Sequence, residues 1–306
     1  MSTGREPATG LTEPSAAPTG DAASSAGATP LTLGEALAAA RGRIDRLDAR
    51  LLLQFATGCS HTDLLARPET PVFAPALAQY LEWVERRAAG EPFAYLVGEA
   101  EFRGRVFQVS PDVLIPRPET EVLIELALQR LQDWPADRPP RIVDLGTGSG
   151  IVAISLALEC PQAEVVAVDL SPGALAIARN NAGRLGARVD FREGSWFAPL
   201  AGERFDLIVS NPPYIAAGDP HLALNGLPFE PQLALTDQDA GGNGLACIRE
   251  IVAGAADYLQ AAGWLLFEHG YDQGAASRNL LTAAGFKAAQ THPDLAGIDR
   301  VSVGHR

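Results

Sequence analysis

The sequence predicts an α/β chain: a doubly wound, mostly parallel sheet preceded by a small bundle of helices. Three observations predict it. From Arg141 onward, short apolar segments alternate with longer helical patterns, which implies a parallel sheet covered on both faces. The first of those segments runs into the glycine-rich turn Asp144-Leu145-Gly146-Thr147-Gly148-Ser149-Gly150, and glycines there let a backbone turn tightly and approach a ligand closely. Upstream of both, residues 31–90 read as helix throughout.

Taken in order, residues 1–30 are mostly Ala, Gly, Pro, Ser and Thr. Such a segment cannot bury enough apolar surface to offset its ordering entropy, so a disordered tail is expected. It has no apolar stretch of signal-peptide type, and Glu6, Glu13 and Asp21 argue against a mitochondrial transit peptide. Thr32-Leu33-Gly34-Glu35 fits a capping box that opens the first helix. Ile44, Leu47, Leu51, Leu52 and Phe55 fall on one helical face, and Gly58 follows as a stop signal. Pro75 to Ala89 gives another helix, with Leu77, Tyr80, Leu81 and Val84 as its apolar positions. Four or five short helices are expected over 31–90. Residues 91–116 are read as a linker built around a hairpin, from the alternation about Gly104 in Phe102–Val109. Pro118 then suits the first turn of a helix running to Leu131, with Glu119 and Glu121 facing the positive end of its dipole.

Within 117–306, strands are expected at Arg141–Leu145, Glu164–Asp169, Val189–Arg192, Phe205–Ser210 and Trp264–Glu268, with Arg300–Val303 as a closing strand. Helical patterns lie between most of them, for example Pro172–Leu185 and Leu245–Gln260.

Composition narrows the function classes. The chain has 306 residues and a formal net charge of −13, with a pI near 4.8. That balance disfavours a broad electrostatic grip on nucleic acid. No apolar run approaches the roughly eighteen residues of a membrane span. Cys59, Cys160 and Cys247 form no CxxC pair, and the histidines show no metal-ligand spacing, so buried thiols in a reducing cytosol are expected and a metal is not.

The chemistry concentrates in Asn211-Pro212-Pro213-Tyr214, directly after the apolar run Phe205–Ser210. Each proline fixes φ and lacks an N–H, which makes a rigid rim of carbonyl acceptors. A planar NH2 group can give one hydrogen to the Asn211 side-chain oxygen and the other to the Pro212 carbonyl, with Tyr214 against its flat face. Read alone, the tetrapeptide is a turn; its place after a strand and downstream of a glycine loop favours a site. Asp169 ends the second strand about 20 residues past that loop, where an acid can accept from both ribose hydroxyls of a nucleoside; the alternative is a helix N-cap before Ser171-Pro172. Trp196 follows the third strand and suits an adenine face, or else is a core aromatic. Asp144, Asp169 and Asn211 each end a strand, so a doubly wound sheet sets all three on one edge.

These residues carry a resemblance. Val143–Gly150, Asp169 and Asn-Pro-Pro-Tyr together resemble a class I (Rossmann-like) methyltransferase that uses S-adenosylmethionine. More narrowly, the chain resembles the HemK-type (PrmC) peptide chain release factor glutamine methyltransferases. The matching segments are Glu91-Pro92 with Tyr95-Leu96 and Gly98; Leu114 to Glu121; Ser195-Trp196-Phe197; Asn211 to Ile215; Phe229-Glu230-Pro231 with Ala234-Leu235; and Leu266 to Gly270. The resemblance implies that Gly146, Thr147, Gly148, Ser149 and Gly150 wrap the methionine part of the cofactor. Asp169 would hold its ribose and Trp196 its adenine side. Asn211, on both the cofactor and the substrate side, would hold with Pro212 the amide of the glutamine in the Gly-Gly-Gln motif of class I release factors. Pro213 and Tyr214 would shape the slot. It further implies that 31–90 helps dock the release factor, while 117–306 is the catalytic domain. A cytoplasmic monomer with no metal, no membrane and no direct nucleic-acid contact is expected. No dedicated side-chain base is evident, and the amide proton is expected to leave to water.

The main alternative is an adenine-N6 methyltransferase of DNA or RNA, since an exocyclic adenine amine is also a planar NH2 that must leave the base stack to react. The acidic charge and the matches outside the tetrapeptide disfavour it. An NAD-dependent oxidoreductase is disfavoured because Ile151 stands where the dinucleotide fingerprint needs its third glycine. The intact tetrapeptide speaks against a noncatalytic nucleotide-binding scaffold.

Overall fold

Thr32 opens the first helix reciprocally: its hydroxyl accepts from the Glu35 N–H, and the Glu35 carboxylate accepts from the Thr32 N–H at 2.9 Å. The computed structural model describes residues 30–306 apart from 133, 136 and 241; the expected tail at 1–30 lies outside the described residues save its last position. Helices α1 (Leu33–Ala40), α2 (Arg46–Thr57), α3 (His61–Ala66), α4 (Ala74–Ala88) and α5 (Phe93–Val97) build the N-terminal bundle. Gly58 ends α2 with φ of 70°, a left-handed cap that suits glycine. The bundle core holds Leu52, Leu53, Tyr80 and Val84, all fully buried. The expected apolar face of α2 is corrected in part. Leu47 and Phe55 are about half exposed; Leu52 turns inward as expected, joined by Ala49 and Leu53. Phe55 meets Phe93 edge-on at the rim of the bundle.

Strands β1 (Glu99–Phe102) and β2 (Arg105–Gln108) form the predicted hairpin. Its two-residue turn, Arg103-Gly104, holds both φ angles positive, at 50° and 69°, which matches the right-handed twist of the flanking strands. The strain at Arg103 is offset by a forked pair with Glu159, at 3.1 and 2.9 Å, to which Arg105 adds a third bond at 2.9 Å. Gln108 and Asn181 exchange two further bonds across the same contact. The hairpin is therefore fastened to two of the helices that cover the main sheet.

Helix α6 (Thr120–Leu131) begins two residues later than predicted, because Pro118 sits in the turn before it. The rest follows as β3 (Arg141–Leu145), α7 (Ile151–Glu159), β4 (Glu164–Asp169), α8 (Pro172–Leu185), β5 (Asp190–Glu193), β6 (Phe205–Ser210), β7 (Ile215–Ala217), α9 (Gln232–Leu235), β8 (Thr236–Ala240), α10 (Ala246–Tyr258), β9 (Leu259–Glu268), α11 (Gly274–Ala283), β10 (Lys287–Pro293) and β11 (Asp299–His305). The seven-stranded sheet has the order β10-β11-β9-β6-β3-β4-β5. Strands β9, β6, β3, β4 and β5 run parallel; β11 turns back antiparallel to β9, and the edge strand β10, antiparallel to β11, resumes the direction of the other five. The chain first winds from β3 out to β5, then returns to the other side of β3 with β6. That reversal creates a crevice at the carboxyl ends of β3 and β6.

Helices α6 and α7 cover one face and α10 and α11 the other, each over its own apolar cluster. Three strands were not predicted. β10 lacks apolar alternation, ends in Pro293 and carries register shifts, all features an edge strand tolerates. β7 and β8 form a short separate pair beyond the tetrapeptide. Among the described residues, no helix is long and apolar enough to cross a membrane.

Candidate active site

Leu145 pairs with Ser210 in the parallel register of β3 and β6. The Ser210 hydroxyl donates to the Leu145 carbonyl at 2.7 Å, so the glycine loop and the tetrapeptide leave the sheet at the same level. Gly146, Gly148 and Gly150 have φ of 75°, 56° and 86°, a conformation that costs other residues a Cβ clash. Gly150 serves packing: a Cβ there would lie 2.7 Å from Ile154 Cδ1. Gly146 serves approach, facing the Trp196 ring.

Asp144 braces the loop from below. Its Oδ2 accepts from the Thr147 hydroxyl at 2.6 Å and the Ala153 N–H at 3.2 Å, while its buried Oδ1 has no partner. Burial pushes this carboxyl up to about 7. Asp169 braces the loop from the side, accepting from the Gly148 N–H at 2.8 Å and the Ser171 N–H at 2.9 Å. Burial raises its pKa, and those N–H donors oppose the rise. The N-cap of α8 is Ser171, whose Oγ accepts from Ala174. Asp169 is thus not the helix cap, and each of its oxygens keeps a free lone pair. Trp196 holds φ of 43° and donates its indole N–H to Glu250 at 3.1 Å. It packs on an apolar cluster and also lines the crevice.

The tetrapeptide is supported by residues whose role sequence reasoning missed. Asn211 Nδ2 donates to Thr120 Oγ1 at 3.0 Å, and Thr120 donates to Glu268 Oε2 at 2.7 Å. The Tyr214 hydroxyl donates to Glu268 Oε1 at 3.2 Å. Burial pushes the Glu268 carboxyl up to about 7, against the two hydroxyl donors that favour its charge. Burial, and then the Glu268 charge, push the Tyr214 phenol well above its ordinary range. A second carboxylate, the buried Glu230, pairs with Arg117 and accepts from the Ile115 N–H at 3.1 Å, tying the segment before α9 to the approach of α6.

These elements enclose a cavity of about 290 Å³, close to the lower end for small-molecule sites. Of the predicted site residues, Gly146, Thr147, Gly148, Ser149, Asp169, Trp196, Asn211 and Pro213 line it. Gly150, Pro212 and Tyr214 do not; Gly150 packs against Ile154, and Tyr214 is held by Glu268. Open space beside Gly148, the unpaired Asp144 oxygen and the spare lone pairs of Asp169 suit a polar, nucleoside-bearing molecule. Among the described residues, no group of three or more His, Cys, Asp or Glu is arranged to hold a metal.

Residues 33–98 match the PrmC N-terminal domain and residues 122–225 the methyltransferase small domain. The release factor glutamine methyltransferase of Bordetella pertussis is 51% identical over 263 residues, covering 86% of this chain and 95% of the relative. That of Burkholderia pseudomallei is 50% identical over 283 residues, covering 90% and 96%. Among solved structures, the T. thermophilus 16S rRNA N2 G1207 methyltransferase, in complex with AdoMet and guanosine, superposes with a TM-score of 0.51 at 21% identity. The match covers 68% of this chain and 49% of that one, and it bears on the fold alone.

Proposed function

The chain belongs to the release factor glutamine methyltransferases, and from that premise we propose how its own residues carry the reaction. The enzyme uses S-adenosylmethionine and methylates a release-factor glutamine. When bound, the cofactor supplies an electrophilic methyl group. Gly146, Thr147, Gly148, Ser149 and Gly150 form the loop that would hold its methionine part. Asp169 would accept from its ribose hydroxyls, and Trp196 would lie along its adenine. Asn211 stands on both the cofactor and the substrate side.

The observation that carries this reading is the Leu145–Ser210 pairing, which sets the glycine loop beside Asn211 at the switch point of the sheet. An amide nitrogen is a poor nucleophile because its lone pair is delocalised into the carbonyl. Asn211 Oδ1 and the Pro212 carbonyl, accepting its two hydrogens, would return electron density to nitrogen and aim it. Such orientation supplies several kcal/mol of a barrier. Pro213 and Tyr214 shape the slot, and the amide proton leaves to water.

The proposed partners are class I release factors, methylated on N5 of the Gly-Gly-Gln glutamine, with residues 31–90 as the docking unit and 91–116 joining it to a catalytic domain at 117–306. A monomer acting in the cytoplasm, without direct contact to nucleic acid, completes the proposal. The adenine-amine alternative is not favoured by relatives that act on protein. The test is labelled methyl transfer to a purified release factor and to a variant lacking the Gly-Gly-Gln glutamine. Label on the first alone is expected; label on both, or on DNA alone, would refute the reading.

A further inference from the structure

The polar groups behind Asn211 form one chain. Tyr214 and Thr120 each place a hydroxyl on a different oxygen of Glu268, at 3.2 and 2.7 Å, and Thr120 also meets Asn211 Nδ2 at 3.0 Å. Thr120 and Glu268 are buried, and Glu268 is absent from the cavity wall. An ionised carboxylate can only accept, and a hydroxyl owns a single proton. Both hydroxyls must therefore donate to Glu268. Thr120 has then used its proton and can only accept from Asn211. The oxygen and nitrogen of a side-chain amide are assigned from such networks, and with Glu268 ionised this one permits a single assignment. The NH2 of Asn211 faces Thr120, and its oxygen is left free of Thr120.

We propose that Glu268, acting through Thr120, is a positioning residue that fixes the Asn211 amide with its oxygen toward the substrate. The inference rests on the role given above to Asn211 as acceptor of the substrate amide. Tyr214 reinforces the polarity, since burial and the Glu268 charge keep its phenol a donor. The charged groups that act on Glu268 are Glu119 at the start of α6, which disfavours its ionisation, and Arg300 on β11, which favours it; burial outweighs both. Protonation reverses the chain. A neutral Glu268 can donate to Thr120, Thr120 can then donate to the Asn211 oxygen, and the Asn211 NH2 would turn toward the substrate N–H groups, donor against donor. Activity thus falls as pH drops through the Glu268 pKa.

The test is methyl transfer by the full chain to purified release factor, with S-adenosylmethionine affinity measured alongside. Glu268→Gln and Thr120→Val change little volume. Each should lose about tenfold or more in kcat, as misdirected catalytic groups do, with cofactor Kd unchanged. Thr120→Ser keeps the hydroxyl and should stay near wild type. The acid limb of the kcat–pH profile should vanish in Glu268→Gln. Full activity of Thr120→Val, or an equal loss in Thr120→Ser, would overturn the inference. If Asn211→Ala is inactive while Thr120→Val is fully active, the positioning role alone fails. An active Asn211→Ala removes the reading of Asn211 and this inference with it.

Discussion

The carbonyl of Tyr214 lies within the space that a Cβ on Gly244 would need, and Gly244 itself holds φ of 73°. Gln273 fixes the same carbonyl from the side chain, donating at 2.9 Å, and its Nε2 also donates to the Asn243 carbonyl at 3.0 Å. The end of the tetrapeptide is thereby clamped against the turn before α10. Gly244→Ala meets both left-handed strain and a backbone carbonyl that cannot rotate aside. Expected is a loss of about 2 kcal/mol or more in stability and a fall in kcat, read by thermal melting and methyl transfer. Gly202→Ala is the control. It shares a positive φ of 80° but meets nothing within 4 Å, so it should cost only about 1 kcal/mol and leave kcat alone.

Asn211→Ala removes the proposed amide acceptor without touching the loop–Asp169 bond. Methyl transfer should fall by about 10²-fold or more, while the Kd for S-adenosylmethionine stays within a few fold. Titration calorimetry beside the rate assay checks the separation. An equal loss in binding and in rate would sink the assignment.

Asp169 does two jobs, bracing the Gly148 N–H and presenting lone pairs to the proposed ribose. Asp169→Ala should weaken cofactor binding first, and saturating S-adenosylmethionine should restore much of the rate. Asp169→Asn retains one acceptor oxygen and should weaken binding less. An unchanged Kd in Asp169→Ala would refute the ribose contact.

Glu268 also sets a pH dependence of stability. Its pKa rises from an ordinary 4.5 when unfolded to about 7 when folded. Between those values the folded state keeps a proton that the unfolded chain has lost. The contribution is therefore full below the unfolded pKa and is lost as pH rises through the folded one. The stability of wild type relative to Glu268→Gln should fall by up to about 3 kcal/mol from about pH 5 to about pH 8, measured by denaturant titration. Stability and catalysis then pull this carboxyl in opposite directions, since the proposed active form is the ionised one. A difference that does not vary with pH would show that Glu268 is ionised throughout.

Much of the fold was legible in the sequence because its signals are local. The Thr32–Glu35 capping box, the Arg103-Gly104 turn and the strands Arg141–Leu145, Glu164–Asp169 and Phe205–Ser210 all formed with the predicted chemistry. What failed was equally physical. The apolar face of α2 was misjudged because periodicity cannot say which half of a broad stripe meets a neighbour, and Leu47 and Phe55 were left near the surface. β10 was missed because an edge strand needs no alternating apolar pattern.

The sequence by itself determined the five parallel strands and the closing strand in their order, the glycine loop after the first strand of the sheet, Asp169 after the second, and an Asn-Pro-Pro-Tyr rim after Ser210. Each is written in a few adjacent residues whose backbone preferences act locally. The tertiary structure alone decided what those residues lean on. Thr120 and Glu268 are 148 positions apart and Arg117 and Glu230 are 113 apart. Whether such a carboxylate is a solvated surface charge or a buried anchor depends on burial and partners, which exist only once the sheet has brought β6, β9 and the start of α6 together.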